Sequence, residues 1–379
     1  MFLDKIEESP SLELVNLVLK LKAEGKDIVS LAIGDPSFDT PREIIEVAYR
    51  SMLQGDTHYV HSYGTLDVRQ AIRAKVARKN GIRAALENVI FMTTKMAVYA
   101  ALSSVSSRPF DALMPDPGYF YSEPIVLAGG RPVRYKLSSG FGLDMDEVKK
   151  KVGPKTKAIM VNTPSNPTGV MTGKSELREL YEFCADRGIY VLSDEAYEDL
   201  VFTKKDHVSI GSLERRPENV ISLFSLSKSY SMTGWRAGYI VGPEKLISLM
   251  NKFVENAVTC YPPFIEHASA YALENGDEYI RGFRKAYLRR LGVLNEELSR
   301  IPQLKGGDVE GSFYSFPSYS GKLRSQALCH RLLESQNVAL LPGAVFGPSG
   351  EHHLRICFAS TEETIRTAMS GVRRFFAEN

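Results

Sequence analysis

The amino-acid sequence predicts an α/β protein whose mostly parallel sheet is covered by helices on both faces. Three observations support this fold class. Short apolar runs alternate with helical periods through the middle of the chain, which is typical of such sheets. The length of 379 residues exceeds the roughly 250–300 at which a single core stops growing, so two domains, or one large and one small, are expected. Polar residues follow several apolar runs, where ligands of parallel sheets bind.

Seven apolar runs are the candidate strands, and helical periodicity separates several of them. The runs are residues 88–93, 111–115, 132–136, 158–162, 190–192, 220–224 and 237–241. Helices are predicted over residues 95–105 and 174–187, and Gly188 is in the position of a C-cap for the second.

Both flanking regions carry helix-start signals. Residues 40–43 (TPRE) fit a capping box with proline in the first helical position, and they predict a helix that runs toward Leu53. Residues 360–363 (STEE) carry the same signal before a final amphipathic helix. We place the small domain at both chain ends, with the large domain inserted between them. The predicted divisions are 1–40 (N-terminal arm and part of the small domain), 41–285 (large domain) and 286–379 (small C-terminal domain).

Composition excludes several classes of partner. The apolar content of 44%, the charged content of 24% and the net charge of +2 point neither to nucleic acid nor to an anionic membrane. No window approaches the ~20 apolar residues that span a bilayer, and the first residues, MFLDKIEESPS, have no signal-peptide pattern. Four scattered cysteines without a C-x-x-C pair indicate free thiols in a reducing compartment, so a cytoplasmic location is expected. Seven histidines show no metal-binding spacing, so no metal is expected.

The run SLSKSYSMTGWRAG, which begins at Ser225, contains the most informative residues. Lys228 lies among small hydroxyl residues, and Arg236 follows eight positions later. The amine of such a lysine can attack a carbonyl group and form an imine, while Ser225 and Arg236 can bind the oxygens of a nearby phosphate. One cofactor routinely requires both tasks at one place, pyridoxal phosphate (PLP). The alternative is a surface Lys/Arg pair on a serine-rich loop, which the Gly-Trp-Arg-x-Gly tail disfavours.

This spacing closely resembles the Schiff-base motif of class I/II aminotransferases, which are fold-type I PLP enzymes. Two further runs resemble the family's pattern in order and spacing. VLSDEAYEDL supplies Asp194 and Tyr197 after an apolar run, and VNTPSNPTG supplies Asn166, 28 residues before Asp194. The resemblance implies that Asp194 binds the pyridinium nitrogen and that Tyr197 and Asn166 meet the ring's phenolate oxygen. Glu195 is the competing acid, and we place it outside the pocket.

The resemblance extends from about Ser30 to the last helix and implies further cofactor ligands. Thr94 and Lys95 lie at a strand-to-helix junction whose backbone N–H groups favour the phosphate. The family usually has small residues or glycine there, and this chain has none. Tyr119, in DPGYFY, resembles the aromatic residue that stacks on the cofactor ring, with a core tyrosine as the alternative.

Other residues resemble ligands of the substrate or of a second subunit. Tyr59 matches the tyrosine that reaches the phosphate of the neighbouring subunit, which implies a homodimer; Tyr63 is the alternative for this role. Arg355, in HLRICFA, matches the arginine that binds the substrate's α-carboxylate. The planar guanidinium of arginine can donate to both oxygens of a carboxylate. Gly34, in LAIGDPSF, fits the close-packed loop over the substrate, which Asn166 also contacts.

The fold implied by the resemblance is a large domain with a mostly parallel seven-stranded sheet and a smaller α/β domain from both chain ends. The implied function is an aminotransferase that works by a ping-pong mechanism through a Lys228 Schiff base. We expect aspartate as donor and 2-oxoglutarate as acceptor, because some aspartate-using relatives carry a lysine at the position of Lys95. Aromatic or broad specificity and a PLP-dependent carbon–sulfur β-lyase are the alternatives. A non-catalytic regulator on this fold would need a DNA-binding module, for which the residues ahead of Ser30 leave no room.

Overall fold

A computed structural model describes residues 4, 6–213 and 218–378; residues 1–3 and 5 of the predicted N-terminal arm lie outside the described residues. The α-helices are α1 Pro10–Ala23, α2 Arg42–Leu53, α3 Leu66–Asn80, α4 Thr94–Ser104, α5 Ser122–Leu127, α6 Met145–Lys151, α7 Lys174–Ala185, α8 Leu226–Ser229, α9 Glu244–Ala257, α10 Pro263–Asn275, α11 Asp277–Ser299, α12 Ser325–Gln336 and α13 Glu362–Glu378. The strands are β1 Val29–Ser30, β2 Val89–Phe91, β3 Phe110–Asp116, β4 Gly130–Lys136, β5 Thr156–Asn162, β6 Tyr190–Asp194, β7 Val220–Ser225, β8 Gly238–Val241, β9 Leu304–Lys305, β10 Tyr314–Ser315, β11 Ser318–Tyr319, β12 Val338–Ala339, β13 Leu341–Pro342 and β14 Leu354–Cys357.

The central sheet has seven strands in the order β2-β8-β7-β6-β5-β3-β4. Neighbours from β7 to β4 are parallel, and β8 is antiparallel to both β2 and β7. The seven candidate runs coincide with these seven strands, because strands buried on both faces appear in a sequence as continuous apolar runs. The predicted α/β fold class is confirmed.

Two hydrophobic cores cover the two faces of this sheet. Side chains alternate along each strand, so that Met114 and Met160 face one core while Leu113 and Ile159 face the other. The first core packs against helices that include α3, α4, α9 and α10, and the second against α6 and α7. The sheet is therefore enclosed along its length, and its strand ends stay available for a site.

The helix-start predictions had different outcomes. Thr361 caps α13 by accepting a hydrogen bond from the Thr364 N–H at 3.1 Å, which confirms the second capping signal. The first signal predicted a helix toward Leu53, which α2 confirms, but its capping box was wrong, because Pro41 is the N-cap and no side chain caps the helix. The Thr40 hydroxyl donates instead to the Ser231 carbonyl at 2.6 Å, an interaction between distant segments that a local sequence pattern does not contain.

The N-terminal segment packs with elements from the end of the chain. Strand β1 pairs in parallel with β12, and Leu31 lies in one core with residues of α11, α12 and α13. Helix α11 continues through residue 285, the predicted end of the large domain. The predicted domain boundaries at residues 40 and 285 stay predictions. Within the described ranges, no helix is both long enough and apolar enough to cross a membrane.

Candidate active site

The carboxyl ends of β5, β6 and β7 surround a cavity of about 230 Å³. Nine residues predicted for the site line this one cavity. They are Thr94, Lys95, Tyr119, Asn166, Asp194, Tyr197, Ser225, Lys228 and Arg236. Residues from six separate segments of the chain therefore meet where ligands of parallel sheets bind.

Lys228 reaches the cavity from the short helix α8, directly after β7. Ser225 begins this helix, and its side-chain oxygen accepts a hydrogen bond from the Ser227 N–H at 3.3 Å. The Lys228 ammonium donates to the Gly34 carbonyl at 2.7 Å. Burial lowers the pKa of Lys228 to about 8. A larger fraction of this side chain is therefore a neutral, nucleophilic amine near neutral pH than for an exposed lysine.

Asp194 is the last residue of β6 and is buried. Its carboxylate accepts hydrogen bonds from the Tyr121 hydroxyl at 2.8 Å and the Ala196 N–H at 3.2 Å. Burial nevertheless raises the pKa of Asp194 to about 6, because these two bonds do not replace the lost hydration. Such a carboxylate is suited to a cationic partner inside the cavity. The neighbouring Glu195 does not line the cavity and contacts His207, with 2.9 Å between its Oε2 and the His207 Nε2.

Arg355 lies behind the cavity rather than in its wall. It is buried in β14, and its Nη1 donates to the Asn166 Oδ1 at 3.1 Å. Its second terminal nitrogen donates to the Ala32 carbonyl, and its guanidinium lies 4.3 Å from the centre of the Tyr314 ring. Because the Asn166 oxygen accepts from Arg355, the Asn166 amide nitrogen is left as a donor toward the cavity.

The other end of the cavity is suited to an anion. Helix α4 begins at Thr94, so its first N–H groups and the positive end of its dipole lie at the cavity. The Arg236 guanidinium donates to Thr93 Oγ1 at 3.2 Å and to the Thr233 carbonyl at 2.6 Å. The Thr94 hydroxyl is used within the fold, where it donates to the Phe224 carbonyl at 2.9 Å. Thr94 therefore offers its backbone N–H to a ligand.

Tyr119 and Tyr197 complete the wall of the cavity, and the predicted Gly34 lies beside it, where its carbonyl accepts from Lys228. The Tyr197 hydroxyl donates to the Tyr314 hydroxyl at 3.2 Å, and burial raises the pKa of both phenols. Tyr119 lines the cavity, and its ring packs edge-on to Tyr121 with 5.5 Å between centroids. A Cβ on Gly34 would lie 1.8 Å from the Tyr314 hydroxyl, so only glycine fits there.

Tyr59 is the predicted site residue that is remote from the cavity of its own chain. Its side chain is 85% exposed. Tyr63, the alternative, is half-buried and lies under the Arg69 guanidinium, 5.2 Å from the ring centre. The predicted contact of Tyr59 with a second subunit stays a prediction.

Sequence reasoning missed several residues of the site. Tyr121 is in the same DPGYFY run as Tyr119, but the run does not indicate which of the two tyrosines reaches Asp194. Asn162 ends β5, and its amide donates to the Asp194 carbonyl at 3.0 Å; a polar residue at a strand end was a usable signal. Tyr314 comes from a distant segment and had no signal.

Comparison with known proteins identifies the family. Residues 26–372 match the family described as aminotransferase class I and II. A probable aspartate/prephenate aminotransferase of Aquifex aeolicus is 35% identical over 97% of this chain and 95% of its own length. Aromatic-amino-acid aminotransferase 2 of Thermococcus litoralis is 34% identical over 93% of this chain and 92% of its own length. The solved aspartate aminotransferase of Thermus thermophilus with maleate is 31% identical with a TM-score of 0.94, covering 99% of this chain and 98% of that one.

The seven-stranded sheet and the site at its strand ends define a fold-type I transferase. The chain belongs to the class I and II aminotransferase family. Its activity is amino-group transfer, and members of this family are generally PLP-dependent.

Proposed function

We propose that the chain transfers the amino group of L-aspartate to 2-oxoglutarate with PLP as its cofactor. The observation that carries this proposal is that the Lys228 amine and the Asp194 carboxylate face one cavity, at the carboxyl ends of the adjacent strands β6 and β7. Transamination needs an amine that binds the cofactor aldehyde and moves a proton. It also needs a buried carboxylate beside the cofactor's ring nitrogen.

The side chains around the cavity fit PLP in charge and shape. Among residues 4, 6–213 and 218–378, no basic side chain pairs with the buried Asp194 carboxylate, so a protonated ring nitrogen can take that place. Arg236 and the first N–H groups of α4 suit the phosphate. A Cβ on Gly238 would lie 2.7 Å from Thr94 Oγ1 and 2.8 Å from the Phe224 carbonyl, so this glycine lets the start of α4 pack closely against β7 and β8.

In the proposed reaction, the polar side chains at the cavity have separate roles. PLP, when bound, supplies the aldehyde that takes up the amino group and a ring that accepts the electron pair left at the substrate Cα. Asp194 would hold the proton on the ring nitrogen, and Asn166 and Tyr197 would bind the phenolate oxygen. Arg355, whose Nη1 donates to Asn166 from behind the cavity, would bind the substrate's α-carboxylate through its guanidinium. Lys228 would take the proton from the substrate Cα and return it on the side of the cofactor, as a ping-pong sequence requires.

Substrate choice depends in this proposal on Lys95. It is an exposed residue in the first turn of α4 that also lines the cavity, so its ammonium can bind the distal carboxylate of aspartate. The relative from Aquifex aeolicus, named for aspartate and prephenate, supports an acidic substrate. The relative from Thermococcus litoralis, named for aromatic amino acids, supports aromatic or broad specificity as the second candidate.

The first experiment tests the role of Lys228. After PLP is added and reduced with borohydride, peptide mapping should find the pyridoxyl label on Lys228. The Lys228→Ala variant should lose the visible absorbance of the bound cofactor and all multiple turnover, while Lys95→Ala should keep the label. Multiple turnover by Lys228→Ala would overturn the assignment.

The second experiment tests the substrate. We expect Lys95→Ala to lower kcat/KM for aspartate about 10-fold or more, since a hydrogen bond to a charged group contributes about 1.5–3 kcal/mol. The values for phenylalanine and alanine should not change. A uniform change would refute the role of Lys95. Release of pyruvate and ammonia from cystathionine, without amino transfer to 2-oxoglutarate, would favour the carbon–sulfur β-lyase.

A homodimer and a cytoplasmic location complete the proposal. Tyr49, Leu53, Tyr59 and Leu66 expose large apolar surfaces close together in the chain, which supports an interface that brings Tyr59 to the partner's phosphate site. Sedimentation should therefore find a dimer, and Tyr59→Phe should weaken PLP binding without dissociating it. The four cysteines are free thiols, which supports a reducing compartment.

A further inference from the structure

A buried cluster of charged side chains lies beneath the site and has no role in the reaction described above. Its centre is Lys75 of α3, which is 1% exposed although lysine is rarely buried. The other members come from α3, from the segment after β6 and from α8. They are Lys79, Asn80, Glu195, Glu198, Asp199, His207, Ser209 and Ser229.

One branch of this cluster reaches the residue after Asp194. The Lys75 ammonium binds the Glu198 carboxylate and donates to the Asn80 oxygen at 3.0 Å. The Asn80 amide donates to Ser209 Oγ at 2.8 Å, and the Ser209 hydroxyl donates to Glu195. Helix α3 is therefore connected by hydrogen bonds to the fully buried side chain that directly follows Asp194.

The second branch reaches the residue after Lys228. The Ser229 hydroxyl donates to the Asp199 carboxylate at 2.7 Å, and the Lys79 ammonium lies 3.5 Å from the other Asp199 oxygen. Ser229 is the last residue of α8, so this bond anchors the turn that carries Lys228. Glu195, which follows Asp194, and Ser229, which follows Lys228, thus both belong to this cluster.

Oppositely charged side chains are paired within the cluster, Lys75 with Glu198 and Lys79 with Asp199. Although burial opposes it, the carboxylates of Glu198 and Asp199 raise the pKa of Lys75, so that this lysine stays charged. Glu195, Glu198 and His207 also place possible metal-ligand atoms within 4.8 Å of one another. The Lys75 ammonium already binds Glu198 there and supplies the positive charge. The cluster is therefore built as an internal ion network.

We propose that this cluster positions the two reacting groups relative to each other, with Ser229, Asp199 and Lys75 as positioning residues. The proposal rests on the proposed PLP-dependent function. Neither Ser229 nor Asp199 lines the cavity, so each acts through α8 and the Lys228 it carries. Catalysis is sensitive to such displacements, because a shift of about 1 Å in a reacting group can cost about 100-fold in rate.

The test compares two buried serines in the PLP-loaded enzyme. Ser229→Ala removes the bond to Asp199, and Ser269→Ala removes a bond of the same length, 2.7 Å, from a fully buried serine of α10 to the Ile265 carbonyl. We expect Ser229→Ala to lower kcat about 10-fold with KM unchanged. It should also shift the pH midpoint of the cofactor's visible absorbance, because the Lys228 amine moves. Ser269→Ala should change neither quantity.

A second pair keeps the proposal testable if Ser229→Ala folds poorly. Asp199→Asn keeps an oxygen that accepts from Ser229, whereas Asp199→Ala does not, so the asparagine variant should retain the higher kcat and the smaller absorbance shift. Equal behaviour of Ser229→Ala and Ser269→Ala, or of the two Asp199 variants, would overturn the proposal. A failure of the proposed function would appear instead in the unmodified protein, which would then bind no PLP.

Discussion

Replacement of Asp194 by asparagine should change the stability of the apoprotein and the affinity for PLP in opposite directions. Burial raises the pKa of this carboxyl from 3.8 to about 6. A group with a raised pKa in the folded state contributes stability below pH 3.8 and loses it as the pH rises through 6. At about 1.4 kcal/mol for each pKa unit, the ionised carboxylate costs the apoprotein about 3 kcal/mol at pH 8.

Asparagine carries no charge, and its oxygen can still accept from the Tyr121 hydroxyl. The free energy of unfolding of apo Asp194→Asn at pH 8 should therefore rise by up to about 3 kcal/mol. With PLP bound, the ring nitrogen loses its buried partner, which costs about 3–5 kcal/mol, or a factor on the order of 10²–10⁴ in affinity. Urea unfolding of the apoprotein between pH 4 and 8 and titration with PLP measure the two quantities.

Asp116 provides the matched control, because it is also a buried aspartate at the end of a strand of the same sheet. Its carboxylate accepts from the Ser349 N–H at 3.1 Å and hydroxyl at 2.9 Å, and it does not line the cavity. Asp116→Asn should leave the PLP affinity unchanged. The reasoning about Asp194 is refuted if Asp194→Asn destabilises the apoprotein at pH 8, or if its PLP affinity stays within about threefold of the unmodified protein.

Three further predictions concern other parts of the site and its surroundings. Arg355→Lys should lower kcat/KM for amino acids about 10- to 100-fold in steady-state assays, because lysine lacks the planar fork. Gly34→Ala should destabilise the protein by about 1–3 kcal/mol in thermal unfolding, since its Cβ would meet the Tyr314 hydroxyl, and Tyr314→Phe should relieve part of that loss. Burial raises the pKa of Glu266 from 4.5 to about 7, so stability should fall as the pH rises through 7, by about 3 kcal/mol. Glu266→Gln should remove this slope in urea unfolding, and an unchanged slope would contradict it.

Much of the fold and part of the site could be predicted from local sequence. Strands β5, β6 and β7 could be predicted from their apolar runs, because parallel strands buried on both faces need continuous apolar residues. The positions of Asn166, Asp194 and Lys228 follow from these strands, because parallel strands bring their carboxyl ends to one edge. The capping prediction at Thr40 failed because the Thr40 hydroxyl donates to the Ser231 carbonyl, 191 positions away, which a local sequence pattern does not contain.

The sequence by itself determined the α/β class, the positions of the sheet strands along the chain and which side chains follow those strands. Only the tertiary structure showed that the Tyr121 hydroxyl donates to Asp194 and that Glu195 accepts from the buried Ser209. It also placed Arg355 behind Asn166, 189 positions earlier, and assembled the ion cluster around Lys75. The physical reason is that helical and strand periods arise within a few residues, whereas the burial and pairing of a charge depend on segments that meet after folding.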